Sequence, residues 1–241
     1  MMSAAALKQG VAGISPRWKG RIAGIVYLAS GMTYPDMTIN KMILVNGNAA
    51  ATAHNVLIND TVLRRCFGEG LFSAASWVVL TLLLYELLKP VSKSLSRLAA
   101  MFSLVGCAIG ALACLFIYAP LLVLEGAPYL SVFKLEQLQA LSLLSLDLHN
   151  LAAGIAMAIF AYYNLTIGYL ILRSTFLPRI LGVFLMITGL AYQLYLSPPL
   201  ATRLFYSVIM PAGALGEMSL ILWLIVFGVN PQRWKEQAGA A

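Results

Sequence analysis

From Leu98 to Leu124 the chain runs for twenty-seven residues without a charged side chain. That is about 40 Å of α-helix, longer than the ~30 Å hydrocarbon layer of a bilayer. Comparable apolar runs recur along almost the whole sequence, so the constraint is global. Every spanning segment must satisfy its own backbone hydrogen bonds, which in a chain of this pattern means helices. Of 241 residues 61% are hydrophobic and 10% charged, against about 25% charged in an ordinary soluble domain. Burying one soluble core does not account for such a chain; lipid is its solvent.

The runs divide into six expected spans, at Ile22 to Val45, Phe67 to Leu88, Leu98 to Leu124, Asn150 to Leu172, Ile180 to Leu196 and Leu204 to Val229. The first is interrupted by TYPDMTINK, where Pro35 removes a backbone donor and Asp36, Asn40 and Lys41 lie too deep for an unbroken lipid-facing helix, so a kinked span is expected. Asn46 to Thr61 has an Asn cap and an Ala-rich start and reads as a short helix outside the membrane. The thirty-six residues from Gln137 to Leu172 would reach about 54 Å as one helix. The expectation is that this stretch divides, with Leu130 to His149 as an interfacial helix and Asp147 and His149 at the joint.

With six spans both termini share a side. Eleven of the sixteen Lys and Arg residues fall there, and Lys41, Arg64, Arg65, Lys134 and Arg203 fall opposite. The excess makes both ends cytoplasmic. The expected fold is therefore an all-α polytopic bundle in the cell membrane. A cytoplasmic segment 1–20 precedes one bundle domain, 21–230, and a cytoplasmic tail 231–241 follows it; short interfacial helices lie on the outer side. The first twenty residues are too polar for a cleavable signal core, so the first span is expected to serve as an uncleaved insertion signal.

Several blocks resemble the bacterial multi-pass membrane family known as domain of unknown function 4386. They are RIAGIVYL at 21–28, AAATA at 49–53, LLLYELLKPV at 82–91, LDLH at 146–149, GYLILRSTFLPRILGVFL at 168–185 and GEMSLILWLIVFGVN at 216–230. The resemblance implies the multi-pass fold and carries no mechanism. In the family a histidine often stands five residues before the GYL; that place here is Tyr163.

Glu217 is the least expected residue. It lies about 18 Å of helical rise from the cytoplasmic end of the sixth span, close to mid-bilayer. An ionised side chain there costs about 2.5–3.5 kcal/mol on insertion scales, so Glu217 should be protonated, paired or facing a wet cavity. It is either an interhelical hydrogen-bonding strut or a site residue. Asp147 and His149 are two residues apart, about 200° around a helix, so on a continuous helix they face different partners. A turn at the joint would bring them inward together. The alternative is that Asp147 caps the fourth span and His149 stays in the headgroup layer.

His149 shares a face with Ala153, Ala156, Phe160 and Tyr163, whereas Asp147 lines up with Asn150. Glu69 follows Arg65 by four and should form a rim ion pair, with Arg64 pointing elsewhere. Asp36, with Tyr34 beside it, lies in the outer half of the first span. The candidate catalytic set is Glu217, Asp147 and His149, and the candidate ligand-binding set is Asp36, Tyr34, Glu69, Asn150 and Tyr163.

Two histidines and dispersed cysteines leave no metal or haem ligand set. No nucleotide loop, dinucleotide glycine motif or nucleophile elbow occurs, and no basic–aromatic surface suits nucleic acid. No cofactor is expected. The lipid bilayer is the one certain partner, and a lipophilic small molecule is the expected ligand. Three readings stay open: binding or transport of such a molecule with a protonatable Glu217, acid–base chemistry on an isoprenoid-like substrate, and signalling or assembly with another membrane protein.

Overall fold

A computed structural model describes residues 15–31 and 35–240, the side chain of Asp36 excepted. Among the described residues there are helices and turns and no strand. The order is α1 (Pro16–Gly31), α2 (Pro35–Met42), α3 (Ala49–Ile58), α4 (Asp60–Leu88), α5 (Lys93–Leu124), α6 (Leu135–Arg173), α7 (Arg179–Leu196), α8 (Pro198–Val226) and α9 (Pro231–Gly239). Five of these, α4 to α8, are long and apolar enough to cross a membrane.

The first expected span is described in two pieces, α1 up to Gly31 and α2 from Pro35; the stretch between them, and with it the expected kink, lies outside the described residues. The sixteen residues of α1 reach about 24 Å, short of the ~30 Å layer. Glycines let α1 approach α8 backbone to backbone. A Cβ on Gly24 would stand 2.8 Å from Ile225 N, and one on Gly20 3.1 Å from Val229 N. Without a hydrophobic drive inside lipid, such close contact is what holds helices together. On its other face α1 meets α4, where the Tyr27 and Trp77 rings lie 5.1 Å apart and Ser73 Oγ donates to Ser30 O at 2.9 Å.

The largest departure from expectation is α6. It does not divide; it is one helix of thirty-nine residues, about 58 Å long. No glycine or proline interrupts it before Gly154, and beyond its largely exposed first two turns it is packed against neighbouring helices. Leu146 packs into an apolar cluster with Ile39 of α2, Ile43 just after it, Val56 of α3, Leu63 and Cys66 of α4, and Ile117 and Leu121 of α5. A helix longer than the bilayer is stable undivided when neighbours cover the surplus. There is accordingly no interfacial helix ending at His149, and Asp147 caps nothing.

A second, larger cluster fills the other end, around Tyr27, Leu84, Phe160, Tyr163, Leu185 and Leu224. Between α6 and α7 the backbones nearly touch. A Cβ on Gly168 would lie 2.7 Å from Gly182 O, and one on Gly189 2.9 Å from Ala161 O. The short helix expected between Asn46 and Thr61 is present as α3, capped by Asn48, whose side chain accepts from Ala51 N at 2.9 Å. At the same end α4 starts seven residues earlier than expected. Its Arg64 does have partners: Asp60 at 3.6 Å, the Tyr118 hydroxyl at 2.7 Å and Glu125. That cluster ties the start of α4 to the end of α5.

Candidate functional site

Glu217 does not sit on an ordinary α-helix. Residues Ala214–Met218 form a π-helical stretch of α8, and Phe205–Ile209 form another. A π turn is rare and widens the helix locally, and it recurs at functional sites because it displaces side chains from the regular ladder. Here it is locked from both sides. Gly216 has no room for a side chain, since a Cβ would collide with Thr188 Oγ1 and stand 2.8 Å from Phe184 O. Gly213 makes room for the Tyr192 hydroxyl, which a Cβ there would meet at 2.7 Å. Thr188 in turn donates to Ala212 O at 2.6 Å, the closer of two carbonyls it reaches.

The buried Glu217 carboxyl is reached by two donors from different helices. Its Oε1 accepts from Tyr192 OH of α7 at 3.1 Å and, more weakly, from Asn164 Nδ2 of α6 at 3.5 Å. Asn164 is 1% exposed. Its own Oδ1 is buried with no hydrogen-bond partner among the described residues, and the same holds for the hydroxyl of neighbouring Tyr163. Tyr163 is the residue next to Asn164 on α6. Its ring packs edge-on against Trp77 at 6.0 Å and Phe160 at 6.0 Å, and Trp77 also meets Phe160 at 4.9 Å. An acid, an amide and a phenol thus meet beside an aromatic wall, with two of their polar atoms unpaired. Such atoms inside a bundle are acceptors and donors awaiting a polar group.

The other sequence candidates do not join this centre. His149 is 3% exposed, and its Nδ1 lies 3.0 Å from Ala113 O of α5. Fifteen residues separate it from Asn164 on the same helix, about 22 Å. Asp147 is exposed on the opposite side of α6. Asn150 exchanges amide hydrogen bonds with Asn40, at 3.2 and 3.5 Å. Glu69 pairs with Arg65 at 3.4 Å at the rim, as the spacing of four requires. Tyr34 and the side chain of Asp36 lie outside the described residues.

Two residues of the centre, Asn164 and Tyr192, are not singled out by the sequence reasoning above. A signal for Asn164 existed: it stands nine residues before the end of α6, and Glu217 nine before the end of α8. Both are therefore about 14 Å from the same end of the bundle. Tyr192 carried no comparable mark among eleven tyrosines.

Fold and site together define a helical bundle with several apolar helices able to span a membrane and a carboxyl within one of them. The chain belongs to the family described as domain of unknown function (DUF4386), whose model matches residues 22–228. No curated protein and no solved structure matches it.

Proposed function

We propose that this is a six-span protein of the cell membrane with both termini cytoplasmic, and that it binds or transports a lipophilic small molecule bearing a polar group, with Glu217 as the orienting or proton-exchanging residue. The topology is supported by charge. Among the described residues ten Lys and Arg lie at the end where α1 begins and α8 finishes, against five at the other. That is the asymmetry of a cytoplasmic face. In this reading α1 and α2 together complete the first crossing.

The observation that carries the functional reading is the seat of the carboxyl. A strut needs only a regular helix and a satisfied partner; Glu217 instead rides on a π turn beside a buried amide oxygen and a buried phenol that have no partner. A ligand hydroxyl or carbonyl would satisfy them, and the aromatic wall of Trp77, Phe160 and Tyr163 would pack its apolar part. The test is mass spectrometry of lipophilic molecules co-purifying with the detergent-solubilised protein, for wild type and Glu217→Gln. A species present in wild type and reduced about tenfold in Glu217→Gln, which keeps the size and hydrogen-bonding capacity of the side chain, is expected. Equal retention by both would rule Glu217 out as the recognition group.

A further inference from the structure

At the basic end the turn between α6 and α7 and the helix α9 form the two walls of an open groove of about 780 Å³, lined among others by Ser174, Thr175, Arg179, Arg233, Glu236 and Gln237. The walls are fixed. The Asn230 side chain caps α9 by accepting from Gln232 N and Arg233 N, both at 3.1 Å. Trp234 Nε1 donates to Leu87 O at 2.8 Å and anchors the helix to the end of α4. Gln237 Oε1 accepts from Thr175 N at 3.0 Å and from Thr175 Oγ1 at 3.1 Å, latching α9 to the turn.

Among the described residues neither Arg179 nor Arg233 forms an ion pair. Arg233 uses one nitrogen for a long bond to Thr175 O, 3.4 Å, and lines the groove. Glu236 is the single acid of the lining, and this end of the bundle holds ten basic side chains against two acidic ones, Glu86 and Glu236. Of those two acids Glu86 is already engaged by Lys89 at 2.7 Å.

We propose that this groove is a phosphate-recognition site for the headgroup of an anionic phospholipid, held by the Arg179 and Arg233 guanidinium groups. Two unpaired guanidinium groups suit the bidentate geometry of a phosphate. The groove is open because acyl chains must leave it sideways into the bilayer, and its level suits a headgroup: Trp234 and the ends of α4, α6 and α8 meet there. Basic pockets at the cytoplasmic ends of spanning helices bind anionic headgroups by this chemistry. The proposal is independent of the role given to Glu217.

Native mass spectrometry of the full chain, offered equal phosphatidylglycerol and phosphatidylcholine, tests it. Wild type should retain the anionic lipid at least fivefold over the zwitterionic one. Arg179→Gln alone should reduce that retention about fivefold and combined with Arg233→Gln about tenfold, whereas Arg97→Gln, which removes the same single charge as Arg179→Gln from an exposed site on α5 outside the groove, should change it less than twofold. An equal loss in Arg97→Gln would mean diffuse charge attraction and would overturn the site. Adding millimolar inorganic phosphate separates the sources: lipid retained against phosphate identifies the headgroup, while displacement, or Arg179-dependent thermal stabilisation by phosphate without lipid retention, identifies free phosphate. Should the double variant not fold, Arg179→Lys keeps the charge and loses the fork; a loss of about threefold supports the site and no change refutes it.

Discussion

The bundle holds two polar stations on the same helix, and they are built in opposite ways. At His149 a regular α6 faces a regular α5, and the imidazole is held against a backbone carbonyl. At Asn164 the facing helix α8 has left the α ladder, its carboxyl draws donors from two other helices onto one oxygen, and two adjacent polar atoms are unpaired. Burial alone does not separate the two stations, because His149 and Asn164 are both almost fully enclosed, 3% and 1% exposed. The difference teaches that in a membrane bundle a closed polar contact marks architecture, and an incompletely satisfied one on irregular backbone marks the place where something else must bind.

The largest effect is expected at the glycine that seats the π turn. Gly216→Ala forces a methyl into Thr188 Oγ1 and against Phe184 O, an overpacking that should destabilise the bundle by about 3 kcal/mol. Thermal melts in detergent check it, and pairing it with Thr188→Ala should restore part of the loss. A fully stable Gly216→Ala would show that α8 can slide away from α7, and the centre would then be loosely held.

His149→Ala should come next, at about 2 kcal/mol of stability, from the void between α5 and α6 and the lost contact with Ala113 O. Lipophilic ligand retained per folded molecule should stay unchanged. Glu217→Gln should give the reverse pattern: about tenfold less retained ligand, the equivalent of about 1.4 kcal/mol, with a melting temperature close to wild type. If His149→Ala lost ligand and Glu217→Gln lost stability, the two stations would have been assigned the wrong way round.

Much of this was legible in the sequence and some was not, for identifiable reasons. The apolar runs of α4 to α8, the cap at Asn48 and the Arg65–Glu69 pair depend on local spacing, which a sequence displays directly. The continuity of α6 depends on what lies beside it. A count of residues against bilayer thickness splits the helix at His149, whereas in the structure Leu146 belongs to an apolar cluster drawn from α2, α3, α4 and α5 that packs around the undivided helix. Glu217 announced itself by charge. Asn164 was visible only through a depth match, and the convergence of both with Tyr192 is lateral, a coordinate that no count of residues contains.

The smallest effect is expected at the rim, where two arginines in sequence meet different fates. Arg65 finds its acid four residues on, within its own helix, and both side chains of that pair reach solvent, 60% for Arg65 and 32% for Glu69. Such a pair contributes about 0–1 kcal/mol, because water screens the attraction and holding two long side chains costs entropy. Glu69→Ala should therefore leave the melting temperature and the retained ligand almost unchanged. Arg64 instead reaches Tyr118 and Glu125, residues 54 and 61 positions away on α5. Arg64→Ala should accordingly loosen the outer end of the α4–α5 pair more than Glu69→Ala does, seen as faster amide hydrogen exchange near Asp60 and Leu124. Equal exchange in the two variants would mean that the cross-helix cluster is as dispensable as the local pair. The outer end would then be held by the apolar contacts of Leu63, Ile117, Leu121 and Leu146 alone.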